Sequence, residues 1–387
     1  MGTKLNGGKP KFALDFEERA AIPIGESPRG ILGVLLFDET KSDFEKKEYY
    51  SSVEIKDEDW TEDNIKLLKS MAFRGAPFKV IAYRGTNSNV TDILKIVEQD
   101  EPNYFVCPVL TGGIQPEDLA TDLESWINSL RNVETIKLGN NTSTIKYVSS
   151  CSAGPDKPWI IDYDSRQSNH ILYGFEDKTY TAQEYALCIA SMCAGVALNS
   201  SITNMAQPWL KSMKTTVDDV DTAVGDGKLV NYYNGKEYCI VRGVNSFKTA
   251  TDTMNSSFCK IRIMEIMDLN QKDIREVFCE SYRGKYQNFY ENKMKFLSAV
   301  NAYLAKFVKR GQLDPANENK MVIDIEATRN WLIGQGTLNG KPLTEEQAKK
   351  LTPYQLMRAN TKDILFAHIP DYKPTDVMED FFGKAIM

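Results

Sequence analysis

Two stripes of apolar residues, separated by a short aromatic turn, fill residues 260–314 and constrain the fold of this chain more than any other feature. Their members recur every three or four residues, which is the spacing of a helix with one apolar face. Gly284 and Gly311 follow the stripes, at the left-handed position that often ends a helix. The pattern predicts a pair of core helices, over residues 260–282 and 291–310, that carry no catalytic group. The stripes comprise Ile263, Ile266, Met267, Ile274, Val277 and Phe278, then Met294, Leu297, Leu304 and Val308.

The first half of the chain alternates short apolar runs with polar segments of helical length. The runs are residues 30–37, 78–83 and 104–109, and the helical segments are residues 62–73, 89–99 and 116–130. Continuous apolar runs are typical of strands buried on both faces. The alternation predicts an α/β region with a mostly parallel or mixed sheet covered by helices. The paired helices and the elements after them predict an α+β domain in the C-terminal part.

Local signals predict further elements. Thr181 and Glu184 have the spacing of a capping box, which predicts a helix that runs to Leu198. The Asn234-Gly235 pair predicts the turn of a β-hairpin over residues 231–238. Residues 344–360 are interpreted as two short helices and residues 363–369 as a strand.

Composition excludes several classes of protein. The 387 residues include 42% hydrophobic residues, enough for a sizeable core, and the net charge of −6 does not favour a nucleic-acid partner. The longest apolar run, residues 185–198, is too short to cross a bilayer, and residues 1–10 lack the apolar core of a signal peptide. Seven scattered cysteines are predicted to be reduced and buried.

Candidate chemistry is sparse. His170 follows Asp162 and Asp164, and Cys151 is a conceivable nucleophile, but nothing sets a geometry between these residues. We therefore expect His170 to be a loop histidine that is exposed or hydrogen-bonded locally. His368 is expected to be a pairing residue in a strand rather than a metal ligand.

Two short motifs resemble ligand sites without meeting their requirements. Residues 218–221 are rich in aspartate but lack the residues that a calcium loop needs at its fifth and sixth positions. Residues 111–114 place two glycines between a predicted strand and a predicted helix, without further phosphate-binding glycines or a lysine. No cofactor and no metal are predicted.

The order and spacing of several short runs resembles contractile tail sheath proteins. The similarity is dense from residue 242 to residue 387 and diffuse before that, and it is strongest to the sheaths of clostridial phages and of the phage-tail-like bacteriocins called diffocins. No single run is specific, and the series as a whole carries the resemblance. The runs are Gly243–Phe247, Lys260–Ile263, Asp268–Arg275, Tyr282–Tyr286, Asn292–Lys293, Tyr303–Leu304, Val322–Ala327, Thr352–Leu356 and Asp376–Asp380.

The resemblance implies a mechanical function and no enzymatic activity. In that family, subunits form stacked hexameric rings around a tail tube and hold a metastable extended state, whose contraction drives the tube through a cell envelope. The implied partners are other copies of the chain, the tail tube protein, and baseplate and tail terminator proteins, with no nucleic acid and no membrane. The implied location is the bacterial cytoplasm during assembly, then a virion tail or a released bacteriocin particle.

The resemblance also implies a layout of arms and domains. Terminal arms add strands to neighbouring subunits, with Phe12, Leu14 and Phe16 as N-terminal anchors and Val377, Phe382 and Ile386 as C-terminal anchors. Arg329, Lys349, Lys350 and Arg358 are the candidates for facing the tube. The expected segments are an arm at 1–20, a strand region at 21–40 that joins the C-terminal domain, an outer α/β region at 41–240 with a possible boundary near 150, a sheath core domain at 241–369, and a linker and arm at 370–387.

Two alternatives remain open at this point. Residues 25–240 also suit a doubly wound α/β enzyme without a recognisable motif, whose site would lie at the carboxyl ends of the strands. A non-contractile tube or capsid protein would assemble as well but store no energy. The sequence does not distinguish a phage from a bacteriocin particle.

Overall fold

The computed structural model describes residues 22–40, 43–110, 114–131, 143–150, 154–338 and 341–384. The chain divides into two compact units. Among the described residues, the larger unit comprises those within 25–276, 304–319 and 371–384, and the smaller unit comprises those within 22–24, 277–303 and 320–370.

Strands and helices are numbered in chain order. The strands are β1 (Ile31–Phe37), β2 (Lys46–Tyr49), β3 (Lys79–Gly85), β4 (Tyr104–Val106), β5 (Lys146–Ser149), β6 (Ile160–Tyr163), β7 (Gln167–Leu172), β8 (Phe175–Tyr180), β9 (Leu210–Thr215), β10 (Lys228–Leu229), β11 (Asn231–Tyr233), β12 (Tyr238–Ile240), β13 (Val322–Ile323), β14 (Thr337–Leu338), β15 (Lys341–Pro342) and β16 (Ala367–His368). The helices are α1 (Glu62–Met71), α2 (Val90–Asp100), α3 (Leu119–Leu130), α4 (Ala182–Gly195), α5 (Val220–Gly225), α6 (Ile261–Val277), α7 (Tyr290–Lys309), α8 (Ile325–Gln335), α9 (Glu345–Lys349) and α10 (Pro353–Met357).

A seven-stranded sheet in the order β10-β6-β5-β4-β1-β3-β2 is the centre of the larger unit. Its neighbouring strands are parallel, except that β2 pairs with β3 in the antiparallel sense. The prediction of a mostly parallel sheet is confirmed. Strand β1 lies between β3 and β4, so residues 31–37 share a sheet with strands of the predicted 41–240 region. The predicted domain boundaries stay predictions.

Alternation along β1 explains why helices cover both faces of the sheet. Leu32, Val34 and Leu36 pack into one apolar cluster with α1 and α4, while Leu35 and Phe37 pack into a second cluster with α2 and α3. Successive side chains of a strand point to opposite faces, so a run that is apolar throughout needs a cover on each side. Helix α4 is buried along nearly its whole length, as its continuous apolar composition predicts.

Smaller elements of the larger unit also follow local signals. Thr181 and Glu184 form the predicted capping box at the start of α4. Strands β11 and β12 form the predicted hairpin, in which Gly235 takes a left-handed φ of 92°. Strands β8, β7 and β9 form a separate antiparallel sheet.

The paired helices agree closely with the prediction. Helix α6 continues into a π-helical turn at Phe278–Tyr282, and α7 begins at Tyr290. Gly284 and Gly311 have φ values of 70° and 71°, the left-handed conformation expected after each stripe. Burial on α6 is less apolar than the stripe indicated, because Glu265, Asp268 and Asp273 are also buried.

The smaller unit contains short elements around a small apolar cluster of Leu332, Leu343, Ala348 and Leu356. Helices α9 and α10 are the two predicted short helices, and each begins with a capping box. The predicted strand at 363–369 is shorter than expected, since only Ala367–His368 is a strand. A turn precedes it, in which the Ile364 N–H donates to the Thr361 carbonyl and the Thr361 hydroxyl donates back to the Ile364 carbonyl.

Candidate assembly surfaces

Residues 371–375, within the predicted linker and arm, form a hydrogen-bonded segment. Pro374 pairs with Leu313 in an antiparallel bridge, and the Asp314 N–H donates to the Lys373 carbonyl at 2.8 Å. The Thr375 hydroxyl donates to the Gly311 carbonyl at 2.6 Å. These bonds attach the segment to the loop that follows α7, within the larger unit.

Side chains strengthen this attachment. The Asp371 carboxylate accepts from the Asn317 amide at 2.5 Å and from the Glu318 N–H at 2.9 Å, and these bonds lower the pKa of Asp371, with the Glu318 N–H as the main cause. The Asn270 amide on α6 donates to the Tyr372 hydroxyl at 2.7 Å, and burial raises the pKa of that tyrosine. The segment is thus fixed at both ends.

A second attachment follows at Glu379, in a carboxylate socket formed by Thr203, Arg242 and Lys260. The Thr203 hydroxyl donates to Oε1 of Glu379 at 2.6 Å, the Arg242 guanidinium donates to Oε2 at 2.8 Å, and the Lys260 ammonium also contacts Oε2. The Glu379 side chain is only 7% exposed. Burial alone would raise the pKa of Glu379, but the hydrogen bonds from Lys260 and Thr203 outweigh it and lower the pKa.

The residues around Glu379 present a large apolar surface to solvent. Met378, Phe381 and Phe382 are 90%, 86% and 96% exposed. Of the predicted C-terminal anchors, Phe382 is therefore exposed and Val377 is half-buried. No strand occurs within the described part of this segment, residues 377–384. Phe12, Leu14, Phe16 and Ile386 lie outside the described residues.

A short strand pair in the smaller unit offers edges for a further strand. Val322 and Ile323 pair with His368 and Ala367 in the antiparallel sense. The prediction that His368 is a pairing residue is confirmed, and its Nδ1 also lies 3.0 Å from the Asp324 carboxylate. Two strands alone are marginally stable in water, so a ladder this short gains from an added strand.

The four predicted tube-facing cations all lie in the smaller unit, and three have local partners. Arg329 pairs with Glu326, and Lys349 lies 2.6 Å from the Glu345 carboxylate. Arg358 lies 3.5 Å from Glu291, and its guanidinium sits 4.3 Å from the ring centre of Tyr290. Lys350 is exposed at the end of α9. Their role towards a tube stays a prediction.

A cavity of about 580 Å³ lies at the carboxyl end of the central sheet, where the enzyme alternative would place its site. Asp38, Asp63 and Glu184 line it beside Lys178, which pairs with the last two carboxylates. Burial would raise the pKa of Asp38, but hydrogen bonds from Thr40 and the Thr61 N–H outweigh it and lower that pKa to about 2. An acidic lining is unfavourable for a phosphate, so the cavity does not favour a nucleotide enzyme.

His170 is a core residue, so the prediction of a loop histidine is wrong. It lies in β7, its Nε2 is 2.8 Å from the Tyr163 hydroxyl, and its ring stacks on Tyr185 with centres 4.2 Å apart. Burial lowers the pKa of His170 to about 4. The expected local hydrogen bonding is present, and the neutral ring has no nucleophile beside it among these contacts. Cys151 lies outside the described residues.

Other candidate ligand residues have structural contacts. Asp219 accepts hydrogen bonds from the Asp221 and Thr222 N–H groups and so caps α5. Within the described ranges, His, Cys, Asp and Glu side chains form no group of three or more that could hold a metal. Among the same residues, no helix has both the length and the apolar character needed to span a membrane. Residues 111–113 are outside the described part of the chain.

The chain is similar in sequence or in fold to known tail sheath proteins. A tail sheath protein of Clostridium phage phiCD119 is 29% identical over 383 residues, which cover 96% of this chain and 98% of that protein. The sheath tail protein of Desulfitobacterium hafniense has 12% identity and a TM-score of 0.63, over 82% of this chain and 94% of that one. The resemblance to tail sheath proteins is confirmed.

A solved helical assembly also shares the fold of this chain. The helical sheath of the anti-feeding prophage in its contracted state has 11% identity and a TM-score of 0.62, over 98% of this chain and 100% of that one. No protein-family model matches the chain. The similarity to the phage sheath protein extends well before residue 242, where the short runs were diffuse, so it includes the α/β region.

Sequence inspection missed the carboxylate socket. Arg242, Lys260 and Glu379 all stand in or beside runs that carry the sheath resemblance, yet more than a hundred residues separate the two cations from the carboxylate. An acidic pair at Glu379-Asp380 beside an apolar pair was the available signal. Nothing in it identifies which cations it meets, because that depends on the path of the chain.

Proposed function

We propose that this chain is the structural subunit of a contractile tail sheath. Subunits assemble as stacked hexameric rings around a tail tube, hold an extended state and contract to drive the tube through a cell envelope. The observation that carries the proposal is the 29% identity to a phage tail sheath protein over nearly the whole of both chains, together with a fold shared with a contracted sheath.

The C-terminal segment supports a role in assembly. It is attached to the larger unit at residues 371–375 and again at Glu379, and then exposes Phe381 and Phe382 almost completely. Two adjacent phenylalanines in water lose the free energy that burial of their rings would contribute. A neighbouring subunit that covers them would recover it, as expected of an arm that joins copies of the chain.

The strand pair of the smaller unit supports a receiving role. An extended peptide can add to an open strand edge through main-chain hydrogen bonds, while alternate side chains fill pockets. The β13–β16 pair has two residues in each strand and exposes Val322 at 40%. We propose that arms of neighbouring subunits add strands to this pair. Subunits joined in this way would stay connected when the twist and diameter of the sheath change.

The proposed partners and location follow from the same role. Other copies of the chain, a tail tube protein, and baseplate and tail terminator proteins would contact the subunit. Assembly would occur in the bacterial cytoplasm, and the product would be a virion tail or a released bacteriocin particle. No catalytic role is proposed, because the comparisons are to structural sheath proteins and the acidic cavity does not suit a phosphate.

Electron microscopy of the purified full chain tests the proposal. We expect short tubes with six-fold end views and a lumen wide enough for a tail tube, with the helical parameters of a contracted sheath. Addition of a matching tail tube protein should yield longer, tube-filled particles. A preparation that contains only monomers, or thin tubes that do not accept a tail tube, would contradict the sheath assignment.

A further inference from the structure

We propose that Glu379 in the carboxylate socket is a clasp that holds the C-terminal segment on its own subunit and sets where the exchangeable arm begins. With the clasp closed, the arm starts at residue 381. With the clasp open, it starts at residue 376, directly after the hydrogen-bonded segment. This inference rests on the proposed sheath function only for the role of the arm in joining subunits. The clasp itself is a property of the single subunit.

The chemistry of the socket makes Glu379 the controlling contact. The carboxylate of a side chain that is only 7% exposed requires strong donors, and it receives them from Thr203, Arg242 and Lys260. Lys260 also lies 3.5 Å from Asp376, and Arg242 forms a two-pronged contact with Asp380 at 2.7 and 2.8 Å. Asp380 is exposed, so water replaces its contact at little cost, whereas release of Glu379 exposes the whole socket.

Burial alternates along the clasped residues, as expected of an extended peptide lying on a surface. Val377 is half-buried and the Glu379 side chain is buried, whereas Met378 and Asp380 are exposed. Alternate side chains of an extended chain point to opposite sides, so one side is directed towards the subunit itself and the other towards solvent. Met378 therefore lies on the outward side, close in the chain to the exposed Phe381 and Phe382. A second copy of the chain could cover it there.

The clasp changes the reach of the arm by a definite amount. Opening it frees residues 376–380, which adds five residues to the arm. An extended chain spans about 3.3–3.6 Å per residue, so the gain is roughly 17 Å. Residues 371–375 do not move when the clasp opens, because they keep their own hydrogen bonds to residues 311–319. A longer arm would let neighbouring subunits move apart and stay connected when the sheath changes diameter.

Chymotrypsin cleavage after Phe381, measured on the unassembled full chain, tests the clasp. A protease must bind several residues before the cut in an extended form, so a clasped Glu379 should slow cleavage, and the rate should follow the population of the open form. We expect Lys260→Met to accelerate cleavage at least fivefold, and Arg242→Met to do the same. Both variants leave the cleaved sequence unchanged.

Matched controls distinguish opening of the clasp from destabilisation of the whole fold. Lys236→Met makes the same chemical change at an exposed lysine of the larger unit and should leave the cleavage rate unchanged. Thermal unfolding of each variant should stay at the wild-type temperature, which shows that the fold is intact. Equal cleavage rates for Lys260→Met and Lys236→Met would overturn the proposal.

A charge exchange distinguishes a clasp within one chain from a contact between chains. Lys260→Glu and Glu379→Lys should each accelerate cleavage, and the two together in one chain should return the rate towards the wild-type value. Restoration by an equimolar mixture of the two single variants would show that the socket binds another chain and would overturn the clasp. These rates do not depend on sheath formation, so failure of the clasp and failure of the sheath assignment are told apart by microscopy of the same preparations.

Discussion

Lys146 Nζ lies 2.9 Å from the Glu265 carboxylate in the core of the larger unit, and both side chains are buried. The same ammonium lies 2.8 Å from the Asp268 carboxylate, which Arg131 also contacts at 2.8 Å. Glu265 and Asp268 are three residues apart on α6 and so share one face of the helix. This ion network connects α6 to β5 and to the end of α3. Burial would raise the pKa of Glu265, but Lys146 and Arg29 outweigh it and lower that pKa to about 2.

Replacement of Lys146 by methionine should destabilise the protein strongly. The change keeps the size of the side chain but leaves two buried carboxylates with less compensation, which typically costs about 3–5 kcal/mol of unfolding free energy. Urea unfolding followed by circular dichroism measures the loss. Lys95→Met, at an exposed lysine on α2, is the matched control and should leave the midpoint unchanged. Equal midpoints for the two variants would show that the network is not stabilising.

The burial of His170 predicts a dependence of stability on pH. Its folded pKa of about 4 is below the unfolded value of 6.5, so the unfolded chain binds the extra proton first. Stability should therefore decrease as the pH falls from about 6.5 to about 4, by about 3 kcal/mol in all from this residue, and show no further loss from it below that range. Urea midpoints measured across this range for wild type and for His170→Gln isolate the effect. Parallel curves for the two proteins would contradict it.

A close approach of two backbones makes Gly195 irreplaceable. A Cβ atom at this position, the last residue of α4, would lie 1.6 Å from the Gly75 carbonyl oxygen. Neither backbone can yield without disturbing the core, so Gly195→Ala should cost about 3 kcal/mol or more of unfolding free energy. Gly225→Ala is the control, because its Cβ would meet nothing within 4 Å. The measurement is thermal unfolding, and a Gly195→Ala protein as stable as the control would refute the argument.

Removal of either arm should abolish polymerisation and leave the fold intact. Deletion of residues 1–18 or of residues 374–387 removes a proposed joining strand, and a strand that short is not stable without a partner. Deletion of residues 381–387 is the sharper test, since it keeps the bonds at residues 371–375 and at Glu379. Circular dichroism should match the wild type while microscopy shows no tubes. Normal sheaths from any of the three truncated chains would show that the arm deleted in that chain is not needed to join the subunits.

Charge reversal of the four candidate tube-facing residues should weaken assembly on a tail tube. Arg329, Lys349, Lys350 and Arg358 would each be changed to glutamate, and pelleting with a matching tube protein would be measured. Each contact contributes little, but the contacts repeat along a tail. The control reverses four exposed lysines of the larger unit, Lys56, Lys95, Lys211 and Lys236, with the same change of net charge. Undiminished pelleting of the first variant would remove these residues from the tube contact.

Local patterns in the sequence predicted much of the fold. The stripes over residues 260–310 predicted α6 and α7, the Thr181–Glu184 capping box predicted the start of α4, and Asn234-Gly235 predicted a hairpin. Each of these signals acts between residues a few positions apart, so it is visible without a structure. The order of strands in the sheet is not local, so the position of β1 between β3 and β4 could not be read from such signals.

The amino-acid order was sufficient to identify the sheath resemblance, the helix pair and the alternation of strands and helices, because periodicity and short runs are properties of neighbouring residues. It was not sufficient to place His170 in the core, to connect Lys146 with Glu265, or to bring Glu379 to Arg242 and Lys260. Those contacts join residues that the chain path brings together, and the strength of a charge contact depends on the burial around it. Burial of that kind exists only after the sheet, its covering helices and the C-terminal segment have packed.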